Sequence, residues 1–327
     1  MRVYHRARSA LAGLVIAALP AVHAGAEDYP SRPITLVVPY AAGGGLDVLA
    51  RTLAPRLSER LGKPVVVEDR PGAGTVIGAN SVAKAPPDGY TIMLGTSSAF
   101  AINVTLNKSL PYDPAKDFAP IVLTSNAPFL MLVNPDLPVK SVPDLINLAK
   151  EKPGQLSYGS AGPGSPQHLS MELFKMLTGT NLVHVPYRGD APALTDLLAG
   201  HIQTQFAEPT PVLPLLKAGK VRALATSGKT RSAVMPDVPT LAEAGVPGYD
   251  AVIWLGLIAP KGTPPEIVAR LNAEITKIVS RPDVQADWAK QGAVAMTTAP
   301  AAFERYLADD IVKWEHIVKL SGARPDR

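Results

Sequence analysis

The sequence predicts an α/β protein of two lobes, each a doubly wound sheet, with a ligand site in the cleft between them. Three observations point there. Short apolar runs alternate with amphipathic ones along almost the whole chain, as in sheets covered by helices on both faces. One pattern occurs twice: "LVVPYAAGGGLDVLAR" and, about 120 residues later, "LSYGSAGPGSPQHLSMELF" both run strand, aromatic residue, Gly-rich loop, helix. Finally, 327 residues with 46% apolar content can form two domains of ordinary size.

The elements follow in order. Residues 34–39 read as a strand and 47–60 as a helix with Val48, Leu49, Leu53 and Leu57 inward. Residues 65–68 and 91–94 are strand-like, with a helix at 75–84 between them. A second series starts near 121–133. Ser141 with Asp144 three positions on marks a helix start. Strands at 156–158, 182–185, 202–206 and 222–226 then alternate with helices at 166–177, 191–199 and 212–218. Toward the C-terminus, Thr263-Pro-Pro-Glu266 reads as N-cap, Pro at N1 and Glu at N3, ahead of Ile267, Leu271, Ile275 and Ile278. Phe303, Leu307, Ile311, Trp314 and Val318 recur every three or four residues and predict one buried stripe. The chain is expected to change lobes near 124–129 and again near 250–257, which divides it into 27–125 plus 251–327 and a second lobe of 126–250.

Residues 1–26, "MRVYHRARSALAGLVIAALPAVHAGA", have the layout of a secretory signal: Arg2, Arg6 and Arg8, an apolar run, then small residues. Cleavage is expected after Ala24 or Ala26, and the apolar run is too short for a permanent span. The expected location is the periplasm. Without those 26 residues the chain keeps 29 Lys+Arg against 28 Asp+Glu, so its charge is near neutral. No dense basic cluster suggests nucleic acid as a partner. The chain has no cysteine, which suits an exported protein with a core large enough to need no disulfides and excludes cysteine-based metal, redox and nucleophile chemistry.

The loop "PYAAGGGLD" can be an anion site, because a helix N-terminus offers unpaired N–H groups and partial positive charge. A plain helix-entry turn with Asp47 complementing the dipole is the other reading. Nucleotide motifs fail on spacing. In Gly72-Ala-Gly74-Thr-Val-Ile-Gly78 the third glycine comes one residue late, and Gly228-Lys229-Thr230 lacks its first glycine, with Ala at 223. Beyond residue 26 the histidines are His168, His184, His201 and His316, and no pair has a metal-ligand spacing. No Gly-x-Ser-x-Gly is present; Ser165 before Pro166 reads as an N-cap with His168 at N3. Neither a metal, a cofactor nor a catalytic centre is expected.

In order along the chain, "YPSRPITLVVPYAAGGGLDVLAR", "LGKPVVVEDRPGAGTVIGANSVAKAPPDGYTIMLGTSS", "LPYDPAKDFAPI", "HVPYRGDAPALTDLLAGHI", "LKAGKVRALA" and "MPDVPTLAEAGVPGY" resemble the Bug family. These are periplasmic substrate-binding proteins of tripartite tricarboxylate transporters. The resemblance covers about residues 28–322. It implies a hinged, two-lobed periplasmic-binding-protein (Venus-flytrap) fold that clamps a small organic carboxylate, partly through water, and delivers it to membrane permease subunits. It also implies a monomer that is not an enzyme; a sensor subunit feeding a kinase is the alternative, and a hydrolase or dehydrogenase a third.

Carried over by motif, the first loop comprises Tyr40, Ala41, Ala42, Gly43, Gly44, Gly45, Leu46 and Asp47, and Thr96 and Ser97 lie in a neighbouring loop. The second comprises Ser160, Ala161, Gly162, Ser165 and His168, with Ala207 and Glu208 after a later strand. Leu46 stands where the family has Thr or Ser, Ala42 where it has Pro and Ala207 where it has Asp, while Pro163 and Pro166 replace expected polar residues. The resemblance with these departures implies one well-held carboxylate on an apolar or aromatic body, with Trp254 a candidate for stacking against it.

Overall fold

The computed structural model describes residues 29–232, 235–321 and 323; the expected signal peptide, 1–26, lies outside them. Two sheets organise the fold. In the first, β1 (Ile34–Val38), β2 (Val65–Asp69) and β3 (Thr91–Thr96) run parallel in the order β2-β1-β3. Antiparallel to β3 lies β10 (Val252–Pro260), followed by β4 (Phe118–Pro128) and the short edge strand β11 (Val294–Ala295). In the second sheet β6 (Ser157–Ser160), β7 (Val183–Pro186) and β8 (Thr204–Ala207) are parallel, in the order β7-β6-β8. There β5 (Leu130–Val133) and β9 (Arg222–Thr226) add antiparallel on the β8 side.

The apolar runs are continuous because helices cover both faces of each sheet. Ile34, Leu36, Val37 and Val38 of β1 and all four residues of β5 are buried. The helix α1 (Gly45–Leu61) buries Leu49, Leu53 and Leu57 on the first sheet. Val48, expected inward, is exposed, because the buried face is centred on Leu49 and Ala50. The same sheet carries α2 (Val76–Ala83), α3 (Asn103–Leu106), α8 (Pro265–Val279) and α9 (Pro282–Lys290), and the second carries α4 (Val142–Glu151), α5 (Pro166–Thr178), α6 (Asp190–Leu198) and α7 (Pro209–Lys217). Ser141 caps α4 by accepting from Asp144 N at 3.3 Å. Thr263 does not cap α8. Its hydroxyl donates to Pro260 O at 2.8 Å, and Pro264, kept extended by the proline after it, takes the cap position. Among the described residues no helix is long and apolar enough to cross a membrane.

Only Phe129 separates β4 in the first sheet from β5 in the second, and the return runs between Thr226 and Val252. Ser227 ties the two passages together: its Oγ accepts from Phe129 N at 2.8 Å and donates to Ala251 O at 2.6 Å. The last helix, α10 (Pro300–Ser321), spans both cores. Phe303 and Leu307 pack with Trp254, while Trp314, Ile317 and Val318 join the core of the second sheet.

Candidate functional site

In open α/β sheets ligands gather at the carboxyl ends of the parallel strands. The loop after β1 leads straight into α1, with Gly44 at the cap position and no side chain capping the helix. Gly43 adopts φ +83°, which favours glycine, and its N–H donates to Asp47 Oδ2 at 2.7 Å. Asp47 is only 3% exposed. Its other oxygen lies 2.6 Å from Arg51 Nε, and Arg51 reaches Asp69 at 2.8 Å. Burial raises the Asp47 pKa, but hydrogen bonds from Arg51 and from Gly43 N, with the Arg51 charge, outweigh it and hold the group below the usual range. The anion is thus neutralised inside the fold and shapes the loop, while Ala41, Ala42, Gly43, Gly44 and Gly45 remain exposed. Tyr40 Oη lies 3.1 Å from Thr96 Oγ1.

The loop after β6 is braced from behind. Ser165 caps α5 by accepting from His168 N at 3.3 Å, and His168 Nδ1 accepts from Gly164 N at 2.9 Å. The His168 ring stacks on His184 at 4.0 Å between centroids, and His184 Nε2 lies 2.6 Å from Ser160 Oγ. Burial lowers the pKa of both histidines, that of His184 to about 4, and His168 lowers it further. Both rings are therefore neutral at pH 7, as the acceptor role of His168 Nδ1 requires. His168 and Ser160, 5% and 1% exposed, support the loop rather than face solvent.

Beside the second loop lies a cleft of about 610 Å³, which the first loop reaches through Tyr40, while residues 41–47 lie outside its lining. Tyr40, Ser98, Ile102 and Leu106 line one side, and Ala161 with residues 163–166 the other. A Cβ on Gly164, at φ +76°, would stand 2.6 Å from Leu106 Cδ2, so the second loop meets the first lobe at a point where only glycine fits. The turn at 73–75, part of the Gly72–Gly78 run that failed as a nucleotide motif, also lines the cleft. Ala73 and Thr75 there take φ of 45° and 82°, and Asn103 Nδ2 holds the turn by donating to Gly74 O at 2.7 Å.

Of the residues singled out from the sequence, Tyr40, Ala161 and Ser165 line this cleft, as do Pro163 and Pro166. Leu46 instead packs half-buried on the core of the first sheet. Thr96, Ser97 and Gly162 are buried beside the loops, and Ser97 Oγ has no hydrogen-bond partner. Ala207 is 2% exposed and belongs to the core under β8, so the apolar wall comes from Ile102, Leu106, Pro163 and Pro166. Trp254 does not stack on a ligand. It is fully buried, its Nε1 donates to Asp310 Oδ2 at 2.6 Å, and its ring stacks on Phe100. A large aromatic in a crossover strand is drawn into the core by the area it buries.

Sequence reasoning passed over Asp190 and Gln167. Gln167 Nε2 donates to Asp190 Oδ2 at 2.8 Å. Burial, and then the charge of Glu208, push the Asp190 pKa up to about 6 against that hydrogen bond. Burial also raises the pKa of Glu208, which is nevertheless exposed at its surface. Shifts of this kind gather at functional sites. Among the described residues no three His, Cys, Asp or Glu side chains come together as metal ligands.

The model of the tripartite tricarboxylate transporter family receptor matches residues 49–323. Protein BugT of Bordetella pertussis is 39% identical over 300 residues, covering 91% of this chain and 92% of its own. Among solved structures, R. palustris Rpa4515 with adipate is 40% identical with a TM-score of 0.78, covering 91% of this chain and 100% of its own. MatC from Rhodopseudomonas palustris with bound malate is 34% identical with a TM-score of 0.73, covering 89% and 99%.

Proposed function

Because the chain belongs to the tripartite tricarboxylate transporter family receptors, we propose that it is a periplasmic solute-binding protein. It captures a small organic carboxylate between its lobes and hands it to the membrane permease subunits of such a transporter. In this reading residues 1–26 are removed on export, lobe 1 comprises 27–125 and 251–327, and lobe 2 comprises 126–250. The protein acts as a monomer and catalyses no reaction.

One observation carries the reading. The loops after β1 and β6 each open a helix and both reach one cleft, the first through Tyr40 and the second through Ala161 and residues 163–166. One ligand carboxylate sits between them, held by the exposed amides of residues 41–45 and the hydroxyls of Tyr40 and Ser165. Ile102, Leu106, Pro163 and Pro166 cover an apolar or aromatic body, each Å² of it contributing roughly 25 cal/mol. The relatives solved with adipate and malate, both small carboxylates, support the class.

A thermal-shift screen of mono- and dicarboxylates tests it. A ligand at 100 times its Kd stabilises the protein by about 2.7 kcal/mol, a clear rise in Tm. Indifference to every small carboxylate would defeat the reading.

A further inference from the structure

We propose that the ligand carries, at the end away from its held carboxylate, a hydrogen-bond donor received by Asp190, Glu208 and Gln167. The donor is an amino or hydroxyl group. This rests on the carboxylate-receptor reading and names the other half of its substrate.

Topology brings the three residues together. The strands β7, β6 and β8 are parallel neighbours, so the residues just past their ends share one edge of the sheet. Gln167 follows the β6 loop, Asp190 ends the β7 loop, and Glu208 directly follows β8. Glu208 is near enough for its charge to act on Asp190 and, from the other lobe, on Tyr40 of the cleft wall.

The chemistry of the set is one-sided. Among the described residues Glu208 makes no hydrogen bond or ion pair, and Asp190 is hydrogen-bonded only to the Gln167 amide. Gln167 is 5% exposed, and its Oε1 has no hydrogen-bond partner although it is buried. The three acceptors thus lie just past the ends of neighbouring strands, and among the described residues no Lys or Arg pairs with any of them; a buried unpaired acceptor is costly.

The competing explanation is that these acids serve helix starts, since Asp190 is the first residue of α6 and Glu208 the N-cap of α7. Neither helix has a side-chain cap bond. A helix N-terminus also favours the carboxylate anion, whereas burial and the neighbouring charge act the other way on Asp190 and prevail. A donor group on the ligand satisfies all three acceptors. A second carboxylate would add a third negative charge to the two already there.

The test is isothermal titration of the mature protein at pH 8 with two matched series. One is hexanoate, 6-hydroxyhexanoate, 6-aminohexanoate and adipate; the other is benzoate carrying a 4-ethyl, 4-hydroxymethyl, 4-aminomethyl or 4-carboxy group. In at least one series the amino or hydroxyl member should bind about tenfold or more tighter than both the alkyl member and the diacid. The tighter of the two identifies the donor. Asp190→Asn should narrow its lead over the diacid by about tenfold. If the diacid or alkyl member binds tightest in both series, or Asp190→Asn leaves the order and gaps unchanged, this inference falls and the carboxylate reading stands. If none of the eight binds, this inference falls, and the carboxylate reading is decided by the wider screen above.

Discussion

The carboxylate of Asp47 accepts a hydrogen bond from Gly43 N at 2.7 Å, and so fixes the direction of the exposed amides beside it. An acid next to an anion site would be expected to repel its ligand. Here the charge is held by Arg51, and Asp47 works as the loop's clip. Asp47→Ala should cost about 1–3 kcal/mol of stability, from the lost buried hydrogen bonds, and weaken binding. Asp47→Asn, which can still accept from Gly43, should weaken binding less than Ala does. Denaturant melts and titration of both variants check this; tighter binding by the Asn variant at unchanged stability would show simple repulsion.

Asp190 sets a pH dependence of opposite sign to a salt-bridged acid. Its folded pKa, about 6, is raised above the unfolded value near 3.9. Between those values the folded protein binds more protons than the unfolded chain, so this group's contribution to stability falls as pH rises from about 4 to 6 and stays low above. Asp190→Asn removes that loss and can still accept from Gln167. The difference in Tm, variant minus wild type without ligand, should therefore grow from pH 4 to 6 and then level off. A flat difference would contradict the assignment.

Asp310 should be a stability residue. It is 3% exposed and receives Trp254 Nε1 at 2.6 Å, Trp314 Nε1 at 3.0 Å and the Lys313 ammonium at 2.6 Å. Removing it leaves two buried indole N–H groups without an acceptor. Asp310→Ala should cost about 3 kcal/mol in a urea melt. A loss below about 1 kcal/mol would mean that the indoles find other partners.

Gly164→Ala should damage both folding and binding. Its φ of +76° disfavours any Cβ, at about 1–2 kcal/mol, and that Cβ meets Leu106 of the facing lobe. Adding Leu106→Ala should recover part of the lost affinity but not the stability lost to backbone strain. A double-mutant cycle without coupling in the affinity would show that the loop does not approach Leu106 when ligand is bound.

Much of the fold is legible because strand and helix periods differ. The run at 222–226 is β9 to the residue, and the stripe from Phe303 to Val318 is the buried face of α10. The errors lie where one pattern fits two roles. Thr263 has the type and spacing of an N-cap, and only the extended Pro264 displaces it. Trp254 fits a pocket aromatic by pattern, although a buried aromatic at the crossover is the commoner role, and that is the role it takes. The two loops were visible as a repeat, but Asp190 reads locally as an ordinary acid at a helix start. What distinguishes it is Glu208, eighteen positions on, brought close by neighbouring parallel strands.

The central claim is that the two loops hold a carboxylate, and titration of an acid against its own primary amide tests it most directly. The acid giving the largest Tm rise in the screen and its amide share a body and differ in the charged end. The account predicts that the amide binds about 100-fold more weakly, a difference near 2.7 kcal/mol. Equal affinity for acid and amide would contradict it.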